Sequence, residues 1–226
     1  MNRINISPSS ALIILGGEAP AGGAKRQLDE LVAAGTFPFT IAADKGANYA
    51  YQYGMPLDLI IGDFDSIASE VLENYQRMFI EFISFPREKN FGDGEAALHT
   101  ALQRGFGDIV IFGNGGGRLD HMWLNLALPV LYMSKLNSLQ IFDEDCIISY
   151  SKGNAEIKGK AGDIVSMVAL TPVTNLCWQG MKYPLDGIEL PVGSSRCLSN
   201  IMAADNAQVS HDSGIIAIIH YPSDYL

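Results

Sequence analysis

Asp58-Leu59-Ile60-Ile61-Gly62-Asp63-Phe64-Asp65-Ser66 is the stretch on which the reading of this chain turns. Leu59, Ile60 and Ile61 are apolar without alternation, which marks a strand buried on both faces and therefore a parallel sheet covered by helices. The strand runs into two carboxylates with one apolar residue between them. In an extended chain alternate residues point the same way, so Asp63 and Asp65 converge on one cation while Phe64 packs oppositely. Two close carboxylates are costly without a counter-charge, and Mg²⁺ shared with polyphosphate oxygens is the common remedy. The same residues also read as a turn in which Asp63 or Asp65 caps a helix after Ser66.

Outward from this strand, short β-rich runs at 11–17, 39–44, 82–85 and 109–114 alternate with helical patterns at 25–34, 47–53, 69–77 and 93–104. That alternation predicts an α/β domain with a parallel sheet, whose ligands belong beyond the carboxyl ends of the strands. After a helix over 119–135 the texture changes. Strand-like segments at 140–143, 146–150, 163–170 and 215–220 are separated by turn residues, Gly153-Asn154, Gly159, Gly162, Asp186-Gly187 and Gly193, which predicts an antiparallel sandwich or barrel. The boundary falls near 136–138, giving domains over 1–137 and 138–226.

Bulk properties narrow the function. At 226 residues, with 48% apolar and 18% charged residues, the chain is an ordinary globular sequence with a sizeable core. A formal charge of −10 disfavours nucleic acid, which needs clustered Lys and Arg. A small phosphate ligand bridged by a divalent cation is compatible with it. Cys146, Cys177 and Cys197 form no C-x-x-C pair, and a reducing cytoplasm fits them best. The longest apolar stretch, 122–133, contains Asn125 and Pro129, and a membrane span needs roughly 20 residues, so no membrane segment is expected.

Three further stretches carry chemistry. Ala43-Asp44-Lys45-Gly46-Ala47-Asn48 ends the second predicted strand, and Asp44 there is a ligand group or a helix cap. Lys89-Asn90-Phe91-Gly92-Asp93-Gly94-Glu95 leads into a helix. Asp93 is a third carboxylate with Lys89 a phosphate contact, or Asp93 merely starts the helix. Phe112-Gly113-Asn114-Gly115-Gly116-Gly117-Arg118-Leu119-Asp120-His121 is a strand, a glycine-rich turn and a helix start. Its amides and the Arg118 fork suit an anion, or it is a flexible turn before a capped helix with a satisfied His121; it is neither G-x-G-x-x-G nor a Walker A loop.

Taken in order, these stretches resemble the thiamine pyrophosphokinase family. Its A-D-G-G-A-N, P-D-x-I-I-G-D-F-D-S-I, D-x-T-D and G-G-R-x-D-H segments correspond to 43–48, 56–67, 90–93 and 116–121, and its G-L-K-Y-P-L and S-N segments to 180–185 and 199–200. The resemblance implies a Rossmann-like ATP-binding domain, a β-sandwich domain, and a homodimer with thiamine at the interface. It implies Mg²⁺ as cofactor and ATP as co-substrate. Carried over, Asp44, Asp63, Asp65 and Asp93 hold Mg²⁺–ATP, with Asn48 in the first of these segments. Arg118, Asp120 and His121 shape the nucleotide side, and Tyr183, Ser199 and Asn200 lie near thiamine. The implied reaction gives thiamine diphosphate and AMP, with Asp65 or Asp93 as base and Arg118 or Lys89 offsetting charge. Trp178 and Tyr183 are candidate aromatic faces for the thiamine ring, or core packing of the sandwich.

The chain departs from the family at Lys45, Asn90, Gly92, Ala96 and Ile201. Two alternatives follow: a non-catalytic sensor of nucleotide or thiamine, and an unrelated α/β enzyme that uses Mg²⁺ with another acceptor.

Overall fold

The computed structural model describes residues 9–86, 88 and 90–225. The chain divides into two compact units, one ending at Glu144 and the other running from Asp145.

The first unit alternates strands and helices: β1 (Ser10–Ile14), α1 (Gly22–Ala34), β2 (Phe39–Ala43), α2 (Gly46–Gln52), β3 (Leu59–Gly62), α3 (Ser69–Arg77), β4 (Glu81–Ser84), α4 (Asp93–Gln103), β5 (Asp108–Phe112), α5 (Leu119–Ala127), α6 (Pro129–Tyr132) and β6 (Ser138–Phe142). The strands lie in the order β6-β5-β1-β2-β3-β4 and every pair is parallel. The unbroken apolar strands are explained by burial on both faces: Leu12, Ile13, Ile41, Leu59, Ile60 and Ile61 are all fully covered.

Two expectations are revised here. The sequence pattern places the strand at 140–143 in the antiparallel region. It is β6, and it pairs in parallel with β5 from Asp108↔Ser138 to Phe112↔Phe142, so the α/β unit continues past residue 137. A single strand's pattern does not disclose its partner. The helix anticipated over 119–135 is divided into α5 and α6 at Pro129, which has no N–H to continue the ladder.

The second unit contains β7 (Ile147–Ser151), β8 (Ala155–Lys158), β9 (Ile164–Ala169), β10 (Val173–Gln179), β11 (Leu185–Leu190), β12 (Asn200–Ile201), β13 (Asn206–Ser210) and β14 (Ile216–Tyr221). They form two antiparallel groups, β12-β9-β14-β7 and β11-β10-β13-β8. Val165, Met167, Ile216 and Ile218 from the first group pack in one core with Leu176, Trp178, Ala207 and Val209 from the second. Asp186-Gly187 is not a turn between strands. It is a bulge within β11, because Trp178↔Leu185 and Leu176↔Ile188 leave one extra residue there, and Gly187 supplies the φ of 60° that the bulge requires.

Candidate active site

Asp44, Asp63 and Asp65 come together at the carboxyl ends of β2 and β3, each offering an oxygen within 4.8 Å of the others'. The means of convergence differs from the pleat expected at first. β3 ends at Gly62, and Phe64 adopts a left-handed φ of 65°, turning the chain so that Asp65 N–H donates to Asp63 Oδ1 at 3.2 Å. Phe64 meanwhile packs edge-on against Phe82, with ring centroids 5.6 Å apart. Asp44 is left-handed too, at φ 47°. Non-glycine residues in this region cost of order 1 kcal/mol each, and such strain persists where the surroundings hold a site in place.

None of these carboxylates caps a helix. The N-caps of α2, α3 and α4 are Lys45, Ala68 and Gly92, with no side-chain hydrogen bond at any of them. Asp44 Oδ2 instead accepts the Ser66 hydroxyl at 2.5 Å, while its Oδ1 is buried with no hydrogen-bond partner among the described residues. Burial raises the pKa of Asp44, and the charges of Asp93, Asp63 and Asp65 raise it further against the lowering effect of Ser66. Asp93, in the first turn of α4, is thus within electrostatic reach of Asp44. A set of hard oxygen donors with one buried lone oxygen fits Mg²⁺ or a similar cation.

Asn48 is placed beside this cluster as a brace: its Nδ2 donates to Ser66 O and its Oδ1 accepts from Ala68 N–H, both at 3.0 Å. Ser66 and Asn48 together pin the loop after β3 to the elements after β2. Ser66 carried no role in the sequence reading, although it stands in the same stretch as the two aspartates.

The glycine-rich turn after β5 is built into the chain beside it. Gly17 N–H donates to Gly113 O at 3.0 Å and Glu18 N–H to Gly115 O at 2.7 Å. Arg118 and Asp120 form an exposed two-bond fork, with Nε to Oδ1 at 3.0 Å and a second, shorter contact from Nη2 to Oδ2. The guanidinium holds the Asp120 carboxyl down at about 2. His121 is exposed and donates its N–H to Asp120 Oδ1. Lys89 lies outside the described residues.

In the second unit, Asn200 is buried and brackets Tyr183: its Oδ1 accepts Tyr183 N–H at 3.1 Å and its Nδ2 donates to Tyr183 O at 2.7 Å. The Tyr183 ring is exposed, with Lys182 Nζ 5.5 Å above it. Ser199, at φ 55°, donates its N–H to Ser166 Oγ at 2.9 Å. Trp178 is not a ligand platform; it is fully buried in the core of this unit. A polar depression of about 450 Å³ on β8, β10 and β13 is bordered by Gln179, Gln208 and Ser210, with Glu156 as its one acidic wall residue.

The family comparison decides what this arrangement belongs to. The thiamin pyrophosphokinase catalytic domain matches residues 33–142, and the vitamin B1 binding domain of the same enzymes matches residues 146–216. The chain belongs to the thiamin pyrophosphokinase family. Thiamine pyrophosphokinase of Bacillus subtilis is 27% identical over 203 residues, covering 88% of this chain and 95% of its own. Thiamine pyrophosphokinase 1 of Oryza sativa is 25% identical over 206 residues, covering 78% of this chain and 76% of its own. The crystal structure of a thiamin pyrophosphokinase family protein from Enterococcus faecalis superposes with a TM-score of 0.81 at 28% identity, over 95% of this chain and 99% of the other. Both matched domains of the pyrophosphokinase architecture are therefore present, and the junction between the matches, 142 to 146, brackets the division after Glu144.

Proposed function

We propose a division of labour among these residues for the family's reaction, in which pyrophosphate passes from ATP to the hydroxyl of thiamine and leaves thiamine diphosphate and AMP. The observation that carries it is the convergence of Asp44, Asp63 and Asp65, with Asp44 Oδ1 buried and unpartnered. These three residues and Asp93 hold Mg²⁺. When bound, the cation neutralises polyphosphate charge and fixes its oxygens for displacement.

The thiamine oxygen attacks the β-phosphorus in line, a bond to that phosphorus forms, and the bond to the α-phosphate oxygen breaks to release AMP. Asp65 or Asp93 accepts the hydroxyl proton. Arg118, held charged beside Asp120, offsets negative charge on the transferring group, and His121 borders the nucleotide. Lys89 is a second phosphate contact. Ser66 and Asn48 act through the carboxylates by fixing the loops that carry them, so Asn48 supports the nucleotide site indirectly.

Tyr183 presents an exposed aromatic face for the positively charged thiazolium, and Asn200 and Ser199 fix the backbone around it. The first unit corresponds to the Rossmann-like nucleotide domain and the second to the β-sandwich that takes thiamine. A homodimer is supported by α5, which buries none of its residues and leaves Leu119, Trp123 and Leu124 exposed, as is Leu131 of α6. Among the described residues no helix is long and apolar enough to cross a membrane. A net charge of −10 weighs against a nucleic acid partner, and a cytoplasmic location suits cysteines that form no disulfide.

The sensor reading is disfavoured, because the acidic cluster is assembled despite Asn90, Gly92 and Ala96. Ala96 is buried in α4, on the side of that helix away from solvent. Steady-state turnover of Asp63→Asn beside its thermal melt tests the site. A loss of at least about 100-fold in kcat with an unchanged melt supports it, and undiminished turnover removes Asp63 from the machinery.

A further inference from the structure

The order β6-β5-β1-β2-β3-β4 reverses between β1 and β5: the chain proceeds from β1 through β2, β3 and β4 to one side, while β5 and β6 lie on the other. The crevice beyond the carboxyl ends of β1 and β5 is the topological switch point, where open α/β sheets take their ligands. Two loops meet there. Leu15 N–H donates to Phe112 O at 2.8 Å, Gly17 N–H to Gly113 O at 3.0 Å and Glu18 N–H to Gly115 O at 2.7 Å, so the backbone of Glu18 is fixed. Its side chain lies directly against Gly116: a Cβ at that position would sit 2.1 Å from both Cγ and Cδ of Glu18. With φ at 68°, Gly116 leaves room that other residues would fill.

Two side-chain acceptors stand at this crevice. Glu18, in the loop after β1, is an exposed carboxylate, and in the turn after β5 Asn114 is 4% exposed with its Oδ1 unpartnered among the described residues. A carboxylate and an amide oxygen in this place suit a group that donates hydrogen bonds. The acidic cluster stands one and two strands from β1, at the ends of β2 and β3. Neighbouring strands are about 4.8 Å apart, so the two places are roughly 5–10 Å from each other. That span suits a nucleoside at the crevice with its polyphosphate running to the carboxylates.

We propose that Glu18 is a specificity-determining residue that accepts a hydrogen bond from a ribose hydroxyl of the nucleotide, so that the chain selects ribonucleoside over deoxyribonucleoside triphosphates. The proposal rests on the reading of ATP as co-substrate. Its test is calorimetric binding of ATP, 2′-deoxyATP and 3′-deoxyATP to the full chain with Mg²⁺, for the wild type, Glu18→Ala and Glu18→Gln. A hydrogen bond to a charged group corresponds to about a 10-fold change in affinity or more. The wild type is expected to bind ATP at least about 10-fold more tightly than one of the deoxy analogues. Glu18→Ala is expected to bind all three alike, with Glu18→Gln between, since its amide oxygen still accepts. An Ala variant that keeps the wild-type ratio, or a wild type that does not discriminate, overturns the role of Glu18 while ATP binding stands. A wild type that binds none of the three overturns the ATP reading and this proposal with it.

Discussion

The Ser66 hydroxyl donates to Asp44 Oδ2 at 2.5 Å, tying the loop after β3 to the end of β2. The bond satisfies one oxygen of Asp44 and leaves the other buried without a partner. A carboxylate kept in that state, with Asp63, Asp65 and Asp93 near enough to raise its pKa further, lowers the stability of the metal-free protein.

Asp44→Asn should therefore stabilise the metal-free protein while abolishing turnover. Asn keeps an oxygen for Ser66 and removes the crowded charge. Because the folded-state pKa of Asp44 is raised, its destabilising effect is absent at low pH and develops as pH rises from the ordinary carboxylate range through that pKa. At pH 7 a gain of about 0.5–1 kcal/mol, or roughly 2 °C in melting temperature, is expected. Added Mg²⁺ should raise the wild-type melt and leave that of the variant unchanged. Thermal melts with and without Mg²⁺ supply both readings.

Asp163 should dominate the acid sensitivity of the second unit. Burial of Asp163 raises its pKa, but the N–H groups of Ser223 and Lys160 and a 2.8 Å bond to His220 Nε2 outweigh it, so the pKa is lowered. A lowered folded-state pKa adds stability above the unfolded value near 3.9, and that contribution is lost as pH falls through the folded value. Asp163→Ala should cost about 3 kcal/mol at pH 7 and flatten the acid limb of the stability profile, as followed by denaturant titration across pH.

Asn200→Asp probes the bracket around Tyr183. The replacement puts a carboxylate oxygen where Nδ2 donates to Tyr183 O, turning a 2.7 Å hydrogen bond into a repulsive contact. A cost of about 2 kcal/mol and a raised KM for thiamine are expected, with the KM for ATP unchanged. Steady-state kinetics in each substrate separates the two effects.

Trp123→Glu tests the exposed face of α5. Trp123 is 70% exposed, and Leu119, one turn before it, is equally so. A charge at this position should convert a dimer to monomer in sedimentation equilibrium and leave far-ultraviolet circular dichroism unchanged, because that side chain is largely exposed in the chain by itself.

Much of this was legible in the residues. The unbroken Leu59-Ile60-Ile61 run announced a parallel strand, and the Asp63 and Asp65 pair announced the acidic cluster. The turn that joins those two aspartates was not legible, because a left-handed φ at Phe64 contradicts its ordinary preference and is imposed by packing on Phe82 and by the Asp63 side chain. The parallel pairing of β6 and the bulge at Asp186-Gly187 were hidden for a related reason: both depend on which strand lies alongside, and local pattern carries no such information. Glu18 stood in plain view after Gly16-Gly17, but its closeness to Gly116 arises from two loops far apart in the chain.

The most direct measurement is product analysis of the purified full chain incubated with ATP, Mg²⁺ and thiamine, following AMP and thiamine diphosphate together by chromatography. Equal amounts of the two, formed only when metal is present, are the predicted result. ATP and thiamine that bind but yield neither product, or AMP without thiamine diphosphate, would contradict the account.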